Sequence, residues 1–462
     1  MKSINSNSVK EQGFWYFLDI TLVSVGGAVF WFIISIFSSP ADVGYATTIL
    51  SLVSIITGLL SIGFDYALLR EIGDGLGEVY GTLMILKISL LLVSAPIILF
   101  LGQSIYEETL VSHSIIGAMM VITGGIMFVS KFSLIGLMKT RLVAGLECLG
   151  MIIRLVVGPT LVLLGLGSLG ILTSFLATYV TIGIITTVIT IREIGFSWGG
   201  REILFKLTRL VISNMPARAT NVVISSAGVV ILALLTGDAS AVGVFYMALM
   251  ISMATSAIGT SLATVTLPIS MVSEEDEWPT SIRIGICLTA PFVSMLIVSP
   301  DWILGLIGQG YVSGASQLII LSFAIIPNII LMNAIAKLNH VANLRMLIYI
   351  GFLQLFSFLA LLFPLTLTYG ANGAAWAFLI SSVITSIWGL RILGKDITKP
   401  LMVSVSCVII ATGLGSIFLI ISPILAILIS FVVGMTWVHV LKGITFQEIF
   451  SLIKQIFGKS SG

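Results

Sequence analysis

Four basic residues of this chain, Lys87, Lys131, Arg154 and Arg218, fall inside long apolar runs. A cation inside a membrane-spanning helix is costly and almost always faces a bundle interior, a water-filled cavity or a partner charge. Converging on one cavity, such cations would bind an anion, phosphate above all, through charge-assisted hydrogen bonds. Asp19, Asp65, Glu147, Asn214 and Asn221 lie on the same runs and would line or gate that cavity. Each cation also has a plainer reading. Lys87 and Lys131 stand within about two turns of the cytoplasmic ends of their runs, where a lysine stem can snorkel to the interface. Arg154 lies ~18 Å into its run. It shares a face with Glu147, Gly150, Met151 and Gly158, so an internal ion pair to Glu147 competes with a cavity role.

Asn214, Arg218, Asn221, Ser225 and Gly228 recur at spacings of four, three, four and three, which puts them on one helical face. Pro216 could open the first turns of that helix and leave Arg218 at its inner mouth. A second stripe runs Thr47, Ser51, Ser54, Gly58, Ser61 and Asp65, and reads either as a close packing seam or, with Asp65 ending it, as a cavity wall. Ser252, Thr255, Ser256, Gly259, Asn328 and Asn333 are weaker hints of the same kind.

The elements that carry these residues are membrane helices. The chain has 462 residues, 58% hydrophobic and 9% charged, with mean hydropathy +1.16, which excludes a soluble domain. A net charge of +2 argues against nucleic acid as a partner. Cys148, Cys287 and Cys407 sit in apolar runs as small core residues, with no disulfide framework. The run from Phe14 to Phe37 follows Lys2 and Lys10 without a cleavage site, and reads as a retained helix with an aromatic anchor at Phe14, Trp15, Tyr16 and Phe17.

Spanning runs fall at 14–36, 44–69, 80–101, 113–137, 142–165 and 169–191, then at 210–236, 243–272, 281–307, 315–338, 345–368 and 371–393, and finally at 400–421 and 424–441. This predicts an all-α polytopic membrane protein of about fourteen transmembrane helices. Residues 1–195 form an N-lobe, 196–396 a C-lobe opening with a polar connector at Arg201, Lys206 and Arg209, and 397–462 an appended helix pair and tail. Sliding the chain by 199 residues lays Ala41-Asp42-Val43-Gly44 on Ser240-Ala241-Val242-Gly243 and Asp19 on Arg218. Gly167-x-x-Gly170 likewise matches Gly370-x-x-Gly373. The matches keep their order, which predicts two six-helix repeats about an axis along the membrane normal. Asp19 and Arg218 would then stand at equivalent places and could lock the lobes as a gate.

With the N-terminus inside, eighteen of the twenty-two basic residues fall in cytoplasmic connections and none in external ones, so both termini are expected in the cytoplasm of a cell that carries the chain in its plasma membrane. Phe446, Ile449, Phe450, Ile453 and Phe457 share one face with lysines nearby, as in a helix lying on the inner leaflet. The glycines between Gly165 and Gly170 fit a dinucleotide fingerprint by spacing but follow no strand, and read as a turn. His113, His340 and His439 stand apart, so no metal is expected, and no phosphate-binding loop or other cofactor motif is present.

Ser39-Pro40-Ala41-Asp42-Val43-Gly44-Tyr45, Gly63-Phe64-Asp65-Tyr66-Ala67-Leu68-Leu69-Arg70 and Ile307-Gly308-Gln309-Gly310-Tyr311 resemble the polysaccharide and O-antigen flippase branch of the multidrug/oligosaccharidyl-lipid/polysaccharide exporter superfamily. The resemblance covers nearly the whole chain through loose motifs. It implies two six-helix lobes around a cavity that opens alternately to either side. The substrate it implies is a polyprenyl-phosphate- or pyrophosphate-linked oligosaccharide, moved from the cytoplasmic to the outer leaflet. In such proteins basic cavity residues hold the phosphates, a role that carries over to Arg218 and Arg154, with Lys87 and Lys131 behind them. Fourteen-span members resemble the peptidoglycan-precursor flippase, whose extra helix pair lines a groove for the lipid tail. Asp19 stands where that comparison expects a basic residue, which counts against a peptidoglycan precursor. Membrane lipid, a coupling cation and glycan-assembly proteins are the further partners the resemblance leaves open. The rival reading is a cation-coupled multidrug or metabolite exporter of the same superfamily, with Asp19 or Asp65 as the coupling carboxylate. A membrane glycan polymerase would need a large external loop, and every external connection here is short, so the chain reads as no enzyme.

Overall fold

With no water in hydrocarbon to satisfy N–H and C=O groups, an apolar run of spanning length must bond its backbone to itself as a helix. The structure, a computed structural model, follows that rule: every long element among the described residues is helical. Residues 6–71, 76–106, 111–270, 278–341, 343–394, 397–441 and 443–444 are described, with some side chains inside α1, α8 and α9 and at a few other positions left out. The helices are α1 (Ser6–Phe37), α2 (Pro40–Ser61), α3 (Phe64–Glu71), α4 (Leu76–Tyr106), α5 (Val111–Gly136), α6 (Thr140–Leu161), α7 (Gly167–Ile194) and α8 (Gly200–Thr236). After them come α9 (Ala239–Ser270), α10 (Trp278–Val298), α11 (Pro300–Ile307), α12 (Ala315–His340), α13 (Leu344–Leu393), α14 (Thr398–Ile417) and α15 (Pro423–Val440). Among the described residues nine helices are long and apolar enough to cross a membrane, or ten if the bent pair α10–α11 is one span. The tail at 446–457 lies outside the described residues.

Several boundaries differ from the sequence reading for local reasons. The expected helix over 44–69 breaks at Gly63, whose φ of +83° favours glycine. A Cβ there would stand 2.4 Å from the Val211 carbonyl of α8, so the break lets another helix approach. Asp65 therefore belongs to α3 and not to the helix that carries Ser61. The expected run over 281–307 bends by 84° where Pro300 opens α11. Arg201, Lys206 and Arg209 lie on α8, which begins at Gly200, so the polar connector is helical, and the helix continues through Pro216.

Ser39-Pro40-Ala41-Asp42 is a capping box. Ser39 Oγ accepts from the Asp42 amide at 3.1 Å, Asp42 Oδ2 accepts from the Ser39 amide at 3.3 Å, and Pro40 fills the first helical position. The other Asp42 oxygen accepts from the Ser168 amide at 3.1 Å, tying the start of α2 to that of α7.

The chain divides into two compact units, Met1–Tyr246 and Met247–Gly462. In the first, α1 packs on α6, α5 on α4 and α7, and α2 on α8. At the start of α2, Gly44 and Gly243 cross: a Cβ on Gly44 would fall 1.7 Å from the Ala239 carbonyl oxygen, and one on Gly243 would fall 1.9 Å from that of Pro40. These are the two glycines that the 199-residue shift superposes. Gly167 (φ +50°, ψ −126°) and its sequence match Gly370 (φ +56°, ψ −132°) share one unusual conformation. In the second unit α12 packs on α13, while α14 and α15 pack on each other and on α10. Gly434 lies against Pro291, Gly415 against Ser430, and Trp437 Nε1 donates to Ser406 at 3.0 Å.

The crossing gives a first expectation. Gly44→Ala places a methyl on a backbone oxygen and should cost ~1–3 kcal/mol or more by forced displacement. It should lower the thermal midpoint in detergent. Gly413→Ala, whose added Cβ meets nothing within 4 Å, should leave the midpoint unchanged or higher. Equal midpoints would refute the crossing.

Candidate functional site

In the first unit α1 can lie close on α6 because Gly158 leaves room for the Phe30 ring and Gly26 for the Met151 side chain. That packing, with α5 alongside, gathers three charges the sequence had scattered. Lys131 Nζ on α5 lies 3.1 Å from Asp19 Oδ1 on α1 and 2.5 Å from Glu147 Oε1 on α6. All three side chains are largely buried. One ammonium between two carboxylates leaves an excess negative charge. Lys131 therefore does not snorkel, and its charge is already matched.

This corrects one expectation, the ion pair between Glu147 and Arg154. Glu147 pairs with Lys131 and leaves Arg154, seven residues farther along α6, without it. Asp19 is likewise held by Lys131 within its own unit. Among the described residues no carboxylate lies within ion-pair distance of Arg154. Its guanidinium carbon stands 4.3 Å over the Phe175 ring, and its buried Nε has no acceptor among the described residues. Phe175 belongs to an aromatic group with Phe30, Trp31 and Tyr246, at ring separations of 4.8 to 6.1 Å. Tyr179 and Tyr246 lie within electrostatic reach of the arginine.

Tyr179 also borders a cavity of about 320 Å³ between α2, α3, α5 and α7, lined by Thr57, Gly58, Ser61, Asp65 and Phe128 among others. The ring has its seat because Gly124 has no side chain; a Cβ there would stand 3.2 Å from it. The α2 stripe thus divides by depth. Thr47 and Ser51 are buried in packing, Ser54 is exposed, and Gly58, Ser61 and Asp65 wall the cavity. Lys87 is wholly buried behind that wall, donating to Ser61 Oγ at 2.7 Å with its ammonium 4.9 Å from the Phe64 ring and 5.5 Å from that of Phe128. It does not snorkel either. Among the described residues no carboxylate pairs with it, and an unmatched buried charge is costly, so Lys87→Met should raise the thermal midpoint. A lower midpoint would show that the ammonium contributes net stability through Ser61.

Asn214, Arg218 and Asn221 fall on the backbone of α8, and their side chains lie outside the described residues, as does any pairing of Arg218 with Asp19. In the second unit the sequence hints resolve into packing. Ser252 Oγ donates to the Leu321 carbonyl at 3.0 Å, Asn328 to Ser256 Oγ at 3.1 Å, and Asn333 to the Ile329 carbonyl at 2.8 Å. His113 hydrogen-bonds Ser168 at 2.7 Å. The three cysteines are free. Sequence reasoning missed Phe175 and Tyr179. Their spacing of four puts both on one face of α7, a signal that needed Arg154 as the neighbour to be read.

No family model and no curated protein matches the sequence. Among solved structures, the chain is similar to a lipid II flippase, MurJ, in an inward closed conformation, with TM-score 0.74 and 13% identity over 94% of this chain and 99% of that one. It is also similar to an inward-facing multidrug resistance MATE family transporter of the MOP superfamily, with TM-score 0.57 and 18% identity over 82% and 94%. A MATE bound to MaL6 follows at TM-score 0.55 and 14% identity over 83% and 96%. At these identities the likeness is one of fold.

Proposed function

We propose that this chain, which has the fold of those transporters, is a flippase for a polyprenyl-phosphate- or pyrophosphate-linked oligosaccharide. It moves the lipid from the cytoplasmic to the outer leaflet of the plasma membrane by alternating access between two six-helix lobes. The observation that carries the reading is Arg154. A guanidinium deep in a membrane helix, whose buried Nε has no acceptor and which has no carboxylate at ion-pair distance among the described residues, is a site for an anion supplied from outside the chain. Its planar fork suits phosphate oxygens, and the cavity bordered by Tyr179 carries Thr57, Ser61 and Asp65 on its wall for sugar hydroxyls. A cavity of about 320 Å³ is of ligand-binding size. The Asp19 departure noted above argues for a glycan other than a peptidoglycan precursor.

One observation favours a second reading. The excess carboxylate of the Asp19–Lys131–Glu147 group could hold a proton or metal cation, as a cation-coupled multidrug or metabolite exporter requires. A binding test separates the two. A polyprenyl diphosphate disaccharide should raise the thermal midpoint of the purified protein, while the same glycan on uncharged polyprenol should not. A shift with hydrophobic organic cations and none with the diphosphate would give the exporter reading precedence.

A further inference from the structure

We propose that the start of α6 holds the head group of an anionic membrane phospholipid, at a site that does not depend on the flippase reading. A concavity of about 500 Å³ opens there, lined by Lys139, Arg141, Leu142, Gly145 and Leu146. Arg154 lies ~20 Å farther along the same helix. The turn that joins α5 to α6 fixes the place. Met138 adopts φ +59°, the one positive φ of a non-glycine residue among the described residues, and the Lys139 amide donates back to the Leu134 carbonyl at 2.9 Å. The chain reverses within that turn and α6 opens at once. The Thr140 amide and hydroxyl donate to Gln12 Oε1 at 3.1 and 2.6 Å, which ties the opening to α1.

Both cations at the mouth can still take an anion. Arg141 is exposed, its guanidinium carbon stands 5.3 Å over the Trp15 ring, and no carboxylate lies at ion-pair distance among the described residues. Stacking engages the guanidinium face and leaves its N–H edge to an acceptor. Lys139 Nζ lies 2.6 Å from Glu193 Oε1 of α7, but the two side chains are 35% and 44% exposed and the ammonium has further donors. Two cations against one acid leave the mouth positive. The positive end of the α6 dipole adds to this, with no side-chain cap from Lys139. Deeper along α6 the wall turns apolar. Gly145 and Leu146 lie ~6–8 Å beyond Arg141. Leu142 is 36% exposed, and a Cβ on Gly145 would meet nothing within 4 Å. A soluble anion would leave that wall bare, and an uncharged lipid would leave the cations unmatched. A phospholipid with net negative charge meets both, its phosphate on Arg141 and Lys139 and the start of its acyl chains on Leu142, Gly145 and Leu146. The loop charges place this end of α6 at the inner leaflet. Through Trp15 and Glu193 the bound lipid would brace α1 and α7 against α6.

The test uses the delipidated full-length protein in uncharged detergent, with thermal midpoints read against dioctanoyl phosphatidylglycerol, dioctanoyl phosphatidylcholine or glycerol phosphate. Phosphatidylglycerol should raise the midpoint saturably, and the other two should not. Half-saturation should weaken about five-fold for Arg141→Gln and about thirty-fold when Lys139→Gln is added, the scale for one and two basic contacts at a lipid surface. Arg141→Lys keeps the charge and should stay within about three-fold of wild type. Gly145→Leu removes a helix-interior glycine and should not destabilise the protein, yet it fills the concavity. It should weaken the lipid effect on the order of ten-fold, the burial of about two methylenes. A phosphatidylglycerol shift that the Arg141 and Gly145 variants leave intact would overturn the site. Equal shifts from glycerol phosphate would make it a soluble-anion site, and equal shifts from phosphatidylcholine would make it ordinary boundary lipid; either overturns the proposal. So would a polyprenyl diphosphate disaccharide whose shift is lost with Arg141→Gln and kept with Arg154→Ala, since the concavity would then belong to the translocated lipid. No shift from the diphosphate, with the phosphatidylglycerol shift intact, would strike the flippase reading alone.

Discussion

Arg154→Ala should abolish translocation of the phosphate-linked lipid, with a loss on the order of a hundred-fold, the scale for removing one partner of a buried charge-assisted contact. The folded protein should survive the change. Among the described residues Arg154 neutralises no carboxylate, so its removal strands no charge, and Phe175 keeps its ring contacts with Phe30 and Trp31. Arg154→Lys should retain part of the activity, since an ammonium keeps the charge but loses the fork. Initial flipping rates in proteoliposomes, normalised to folded protein, check this. Equal rates for wild type and Arg154→Ala would remove the arginine from the site.

Lys131→Ala should have the opposite signature, a large loss of stability whatever the substrate. It leaves Asp19 and Glu147 facing each other in a buried place with nothing between them, and breaking a buried ion pair by deleting one partner costs ~3–5 kcal/mol. The triple change Asp19→Asn, Glu147→Gln, Lys131→Met should recover most of that loss, because it removes the charges together. Thermal midpoints of the four proteins, the Asp19→Asn single variant included, decide it. If Lys131→Ala matches wild type, the three charges do not form one group.

The helical architecture was legible because apolar runs of spanning length have one way to satisfy their backbone. The breaks were less so. Gly63 could be seen as a glycine, but the reason for it, the approach of the Val211 carbonyl, lies on a helix far along the chain. The candidate charges were legible one by one, since an ionisable residue inside an apolar run is conspicuous. Their pairing was not. On a single helix Glu147 and Arg154 share a face two turns apart, and nothing local says that α5 will bring Lys131 to Glu147 first. The same limit hid Tyr179, whose place beside the cavity depends on a glycine of α5, Gly124. Ser39-Pro40-Ala41-Asp42, part of the family resemblance, is a capping box in the structure, so its residues speak for the start of α2 and not for a substrate.

The central claim is that an anionic glycolipid crosses through a site governed by Arg154. The most direct measurement follows a fluorescent polyprenyl diphosphate disaccharide in proteoliposomes, with the outer-leaflet fraction read by a membrane-impermeant quencher. The account predicts movement between leaflets by wild type, none with Arg154→Ala, and none for the uncharged polyprenol glycoside. A wild-type protein that leaves the diphosphate lipid in place, or that moves the uncharged glycoside equally well, would contradict it.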